Sequence, residues 1–166
     1  MTASTPARPW SPPSAADRLR IIRESRSVAL VGVSSKPERP SYFVATYLLS
    51  RATHFQVYLV NPRETEILGH PVYPTLADLP EVPDMVDVFR AAEYCPEVAR
   101  EAAAVGARTL WLQLGVESQE ACRIATEAGM QVVMNRCLKI EHARFHGGLH
   151  LAGFDTGVIS SRRRGP

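Results

Sequence analysis

The amino-acid sequence predicts an α/β fold: a doubly wound, mainly parallel sheet with strand order 3-2-1-4-5-6. Three observations predict it. Val28-Ala29-Leu30-Val31 is a continuous apolar run rich in β-branched residues, the pattern of a strand buried on both faces. Other segments place apolar residues at helical spacing, as Ala121, Ile124, Ala125 and Ala128 do. Strand-like and helix-like segments alternate along the chain, which demands right-handed crossovers between parallel strands.

Taken in order, residues Met1 to Pro13 hold four of the 13 prolines and little apolar periodicity, so they are read as a flexible or loosely docked arm. Ser14 caps a first helix through Glu24, with Leu19 and Ile22 spaced to face the sheet. The strand Val28 to Val31 breaks at Gly32, and Ser41 is placed as the N-cap of a helix over Tyr42 to Leu49. Phe55 to Val60 is the second strand, ended by Asn61-Pro62-Arg63. Gly69 to Tyr73 is a short edge strand, and Thr75 caps a helical turn through Leu79. Met85 to Phe89 is a strand closed by Arg90. The next helix carries Val98, Ala102 and Val105 on one face and stops near Gly106. Thr109 to Gln113 is a strand, Ser118 caps the helix that ends at Gly129, and Gln131 to Met134 is the last strand, followed by a short helix to about His142.

With 166 residues the chain has the size of one domain, expected over residues 14–143, with residues 144–166 as an extension ending in the basic run Arg162-Arg163-Arg164. A composition of 45% hydrophobic and 22% charged residues is ordinary for a globular protein. The net charge of +2 argues against a general nucleic-acid or membrane-surface protein. No apolar run approaches the roughly 20 residues that span a bilayer, and the N-terminus lacks an apolar signal core, so the expected compartment is the cytoplasm. Cys95, Cys122 and Cys137 show no CxxC spacing, which disfavours a disulfide framework or a zinc site.

With Pro71 to Tyr73 as the third strand, the topological switch lies between the strands ending at Val33 and at Phe89. Ligands of open α/β sheets bind in such a crevice, so the Ser34 loop and Phe89-Arg90 are expected to face each other. Gly32, Ser34, Ser35, Lys36, Arg39 and Ser41 follow the first strand. A glycine turn, hydroxyls and two cations before a helix N-terminus suit an anion, usually phosphate. A GxGxxG turn and an acidic residue after the second strand, the NAD pattern, are both missing; Arg63 stands where the carboxylate belongs. An arginine there favours a nucleotide with a phosphate on its ribose, which both NADP and coenzyme A satisfy. The GxxxxGK[ST] loop of an NTPase is absent.

The segments VALVGVSSKPERPS, YLVNPRE, ILGHPVYPTLADLP, PDMVDVFR, TLWLQLGV and VVMNRCLKIEH, in order from Ile21 to His142, resemble the small stand-alone CoA-binding proteins of Rossmann type. That family is related to the nucleotide-binding domain of the succinyl-CoA synthetase alpha subunit. The resemblance implies coenzyme A as ligand, with adenosine and phosphates lying over the first-strand loop, the Asn61-Pro62-Arg63 turn, Phe89 and Arg90, and Gln113. The first-strand turn departs from the GxTGxxG-like loop of the synthetase subunit.

Each feature also has a plainer reading. Gly32 suits any tight turn, Asn61-Pro62 any strand end, Phe89 core packing, and Arg90 a buried ion pair. Cys137 lies where a thiol could meet the pantetheine end, yet a small residue at a helix start is commonly structural. His142, His146 and His150 recur every four residues, but Gly147-Gly148 interrupts the helix that would align them as metal ligands. A GxSxG nucleophile elbow is missing. The synthetase subunit carries its phosphorylated histidine in a second domain, for which too few residues follow His142. The function expected is therefore non-catalytic binding of CoA or acyl-CoA, with acyl-CoA enzymes as candidate protein partners. The alternatives are an enzyme or subunit acting on a CoA thioester, or an NADP-binding module.

Overall fold

The structure is a computed structural model and describes residues 9–146. The rest of the N-terminal arm, Gly147-Gly148, His150 and the basic C-terminal run lie outside the described residues, as does the side chain of His146.

The chain runs α1 (Ala15–Glu24), β1 (Ser27–Val31), α2 (Pro40–Leu48), β2 (Gln56–Val60), β3 (Glu66–Ile67) and β4 (His70–Tyr73). It continues through β5 (Met85–Val88), α3 (Cys95–Val105), β6 (Thr109–Leu112), α4 (Gln119–Glu127), β7 (Gln131–Val133) and α5 (Leu138–His146). The sheet order is β3-β4-β2-β1-β5-β6-β7. Six of these strands reproduce the expected parallel order, and every β1, β2, β5, β6 and β7 pairing is parallel. The difference is β3, a two-residue strand that pairs antiparallel with β4 at the sheet edge. It exists because Leu68 and Gly69 both take positive φ, 53° and 77°, the backbone of a tight hairpin turn.

The β1 strand is buried along its whole length, as its apolar run requires of a central parallel strand. Two cores flank the sheet. One face packs Val28, Leu30 and Trp111 under α1, α2 and α5 through Ile22, Leu48 and Leu138. The other packs Ala29, Val86 and Leu112 under α3 and α4 through Val98, Ala102 and Ala125. In α1 the buried residues are Arg18, Ile21 and Ile22, so Ile21 takes the place expected of Leu19. Trp10, within the arm, packs against the α3/α4 face, and its Nε1 donates to Val132 O at 3.0 Å.

Caps explain several boundaries. Ser14 and Ser118 each accept an N–H of the first turn of their helices, α1 and α4, and Gly106 ends α3 in the left-handed region. Ser41 does not cap α2. Arg39 occupies the N-cap position without a side-chain hydrogen bond, because Pro40 opens the helix with its φ already set and no N–H to satisfy. The final helix runs on past His142 to His146. Among the described residues no helix is long and apolar enough to cross a membrane.

Candidate functional site

The chain after β1 leads through α2 to one side of the sheet and the chain after β5 leads through α3 and β6 to the other. A crevice of about 760 Å³ opens over the carboxyl ends of these strands. Gly32 lies at its floor with φ +88°, and its N–H donates to Val60 O at 2.9 Å. A Cβ on Gly32 would stand 2.8 Å from Arg90 Cγ. The turn after β1 and Phe89-Arg90 therefore meet across the switch point, as the strand order demands, and only a residue without a side chain fits between them.

The β1–α2 loop is tied to itself. Ser34 N–H donates to Ser41 Oγ at 3.0 Å, and Lys36 N–H donates to Ser34 Oγ at 3.1 Å. Ser41 is buried, its hydroxyl turned toward this loop instead of its own helix. Asn61 joins the next loop to it: Nδ2 donates to Val33 O at 2.8 Å, while Oδ1 accepts Arg63 N–H at 2.9 Å. Glu64 reaches across as well, its Oε2 accepting Ser35 N–H at 2.8 Å. A carboxylate oxygen thus sits on a backbone donor of the loop. Gln113 is buried, and its Oε1 accepts Leu138 N–H at 3.0 Å, fastening the start of α5 to the end of β6.

Of the residues singled out in the sequence, the crevice wall contains Gly32, Ser34, Lys36, Arg39, Ser41, Asn61, Arg63, Phe89 and Gln113. Ser35, Pro62 and Arg90 are not part of it. Ser35 and Pro62 are exposed beside it, and the Arg90 guanidinium lies 4.3 Å over the Tyr94 ring. Among the described residues no carboxylate pairs with Arg90, so the buried ion pair weighed for it is not what holds it. The wall also includes Phe43, Glu64, Leu114, Val116, Cys137, Lys139 and Ile140, of which only Cys137 stood out in the sequence. The signal for the others was positional: Leu114 and Val116 follow β6, and Lys139 and Ile140 follow β7, at the same carboxyl edge. In charge the wall presents Lys36, Arg39, Arg63 and Lys139 against the single carboxylate of Glu64. Lys139 Nζ rests over the rings of Phe43 and Tyr47 at 4.6 and 5.3 Å.

His142 is 1% exposed and its Nδ1 is 2.8 Å from Tyr47 OH, within the α1/α2/α5 face. Cys95, Cys122 and Cys137 are free thiols; burial pushes the first two above the usual thiol range.

A family model described as a CoA binding domain matches residues 26–143. The uncharacterized protein YneT of Bacillus subtilis (strain 168) is 34% identical over 131 residues, covering 79% of this chain and 96% of YneT. A solved hypothetical protein from Pyrococcus horikoshii OT3 superposes with a TM-score of 0.78 at 36% identity, over 87% of this chain and 100% of that one. The alpha subunit of the ADP-forming acetate–CoA ligase I of Pyrococcus furiosus is 26% identical over 129 residues. That match covers 69% of this chain and 28% of the subunit.

Proposed function

From the premise that this chain belongs to the CoA binding domain family, we propose that the crevice binds coenzyme A or an acyl-CoA and that the chain acts as a non-catalytic binding module. The observation that carries the reading is the mouth of α2. Its N-terminus has no side-chain cap, opens on the crevice, and is ringed by Lys36, Arg39 and Arg63. Pro40 has no N–H and the Tyr42 N–H is taken by Arg39 O at 3.1 Å, so it is the positive end of the helix dipole that favours an anion, and the three cations suit a ligand with several phosphates.

In this reading Lys36, Arg39 and Arg63 hold the diphosphate and the ribose phosphate, with Gly32, Ser34, Ser35 and Ser41 letting the phosphates approach the backbone. Asn61 walls the nucleotide, Phe89 flanks its adenine side, Pro62 and Arg90 stand beside the crevice, and Gln113 holds α5 in place. Glu64 then acts as an internal anion on the Ser35 N–H, and a phosphate oxygen displaces it. The donor set of cations, amides and one engaged carboxylate fits holding a polyanion better than moving protons. The likeness to an acetate–CoA ligase subunit favours one second reading, a module that works beside an acyl-CoA enzyme as its protein partner.

Mass spectrometry of the natively purified protein tests the ligand: recovered CoA or acyl-CoA supports the assignment, and recovered NADP without CoA overturns it. Each charge-assisted contact is typically worth about 1.5–3 kcal/mol, so Lys36→Ala and Arg39→Ala each weaken CoA binding by roughly ten- to a hundredfold in calorimetry. Unchanged affinity in both removes the loop from the site. Turnover of acyl-CoAs by the isolated chain replaces the module with an enzyme.

A further inference from the structure

Six large apolar side chains are strongly exposed among the described residues, and three of them, Phe43 (62%), Leu114 (63%) and Ile140 (46%), line the same crevice. Scattered exposed apolar residues need no explanation, but a cluster at one end of a polar groove does. Their place follows from the sheet order. Arg63 and Lys36 stand over β2 and β1, while Leu114 follows β6 and Ile140 follows β7. Phe43 lies near the start of α2, and Lys139 Nζ, next to Ile140 in the chain, lies 4.6 Å above its ring. The crevice is thus lined by Lys36, Arg39 and Arg63 at one end and, beside Lys139, by exposed apolar side chains at the other.

Resting on the CoA reading above, we propose that the ligand is an acyl-CoA with an apolar acyl chain of several carbons, which lies against Phe43, Leu114 and Ile140. Lengths agree with this. Neighbouring strands are about 4.8 Å apart, so the β1 loop and the end of β7 are separated by about 14 Å. The pantetheine arm has three short amide-linked units, about as long as a four-residue extended peptide, or roughly 13–14 Å. With the phosphates at Lys36 and Arg39, the arm passes Phe43 and the thioester arrives by Leu114 and Ile140. Free CoA leaves them wet, and an acyl chain covers them.

Calorimetry with free CoA, acetyl-CoA, hexanoyl-CoA and succinyl-CoA tests the proposal. Burying even part of four added methylenes should make hexanoyl-CoA bind on the order of tenfold tighter than acetyl-CoA. Leu114→Ser and Ile140→Ser, both at exposed positions, should pull the ratio of hexanoyl-CoA to free-CoA affinity toward one. Equal binding of all four ligands overturns the acyl proposal and leaves the CoA reading standing. Succinyl-CoA binding tighter than hexanoyl-CoA also overturns it, by assigning that end to Lys139 and a second carboxylate. Binding of none of the four removes the CoA reading itself.

Discussion

Gly32 and Asp87 carry the sharpest constraints at the scale of single residues. Gly32 combines a left-handed backbone with an Arg90 Cγ where its own Cβ would stand. Gly32→Ala is expected to cost about 1–2 kcal/mol for the backbone alone, more if Arg90 must move, read as a lower urea midpoint. Asp87 lies in β5 at 0% exposure, with both carboxylate oxygens unpartnered among the described residues. Burial raises its pKa well above the usual carboxylate value. The folded state therefore holds a proton that the unfolded state releases near pH 4, and stability falls as pH rises from there toward the folded pKa. Asn mimics the neutral acid, so the melting temperature of Asp87→Asn relative to wild type should climb between pH 4 and 8. A flat difference across that range means Asp87 does not stay protonated. Nothing in the alternation of MVDV distinguished this carboxylate from a strand-edge residue; its isolation comes from Leu30 and Trp111 lying in register on either side.

Among the elements, α5 is the one the site depends on, since it supplies Lys139 and Ile140. Its ties include Gln113 on the Leu138 N–H, the Tyr47 hydroxyl of α2 against His142, and a buried ion pair between Arg18 of α1 and Glu141 of α5. Arg144 also reaches Glu141, at 3.6 Å. Removing one partner of a buried pair strands the other, so Glu141→Ala should destabilise by about 3–5 kcal/mol, whereas the double change Arg18→Met with Glu141→Leu should recover most of it. Equal loss in both variants would mean the charge pairing is not the source. The sequence placed this helix but ended it early near His142, and its three-histidine spacing suggested nothing about α1. The β3 hairpin was illegible for a local reason: its turn uses Leu68, a residue rarely found at positive φ, in place of the usual Asn or Asp.

For the molecule as a whole, ligand binding and stability are linked. A ligand at a hundred times its Kd should add about 2.7 kcal/mol to folding, seen as a raised melting temperature with CoA. Arg90 lies beside the crevice, with its guanidinium on Tyr94. If it still reaches the ligand, Arg90→Lys should shrink the CoA-induced shift and Arg90→Ala should shrink it further. A sharp drop in the ligand-free melting temperature with a CoA shift of wild-type size assigns Arg90 to the scaffold.

Sequence alone determined the layers, the order of the parallel strands and the edge at which to look, because buried parallel strands must be apolar throughout and the chain must cross over between them. It also brought out the residues that directly follow β1, β2 and β5, whose chemistry is unusual for a turn. What only the tertiary structure decided is how the later loops close the crevice. Leu114, Lys139 and Ile140 are ordinary residues in sequence, and they become a wall when β6 and β7 stack beside β5 and α5 folds back over the sheet. The same holds for Ser41 and Glu64, whose partners Ser34 and Ser35 lie 7 and 29 residues away along the chain. Side-chain hydrogen bonds of that kind follow from distance in space, which local periodicity does not encode.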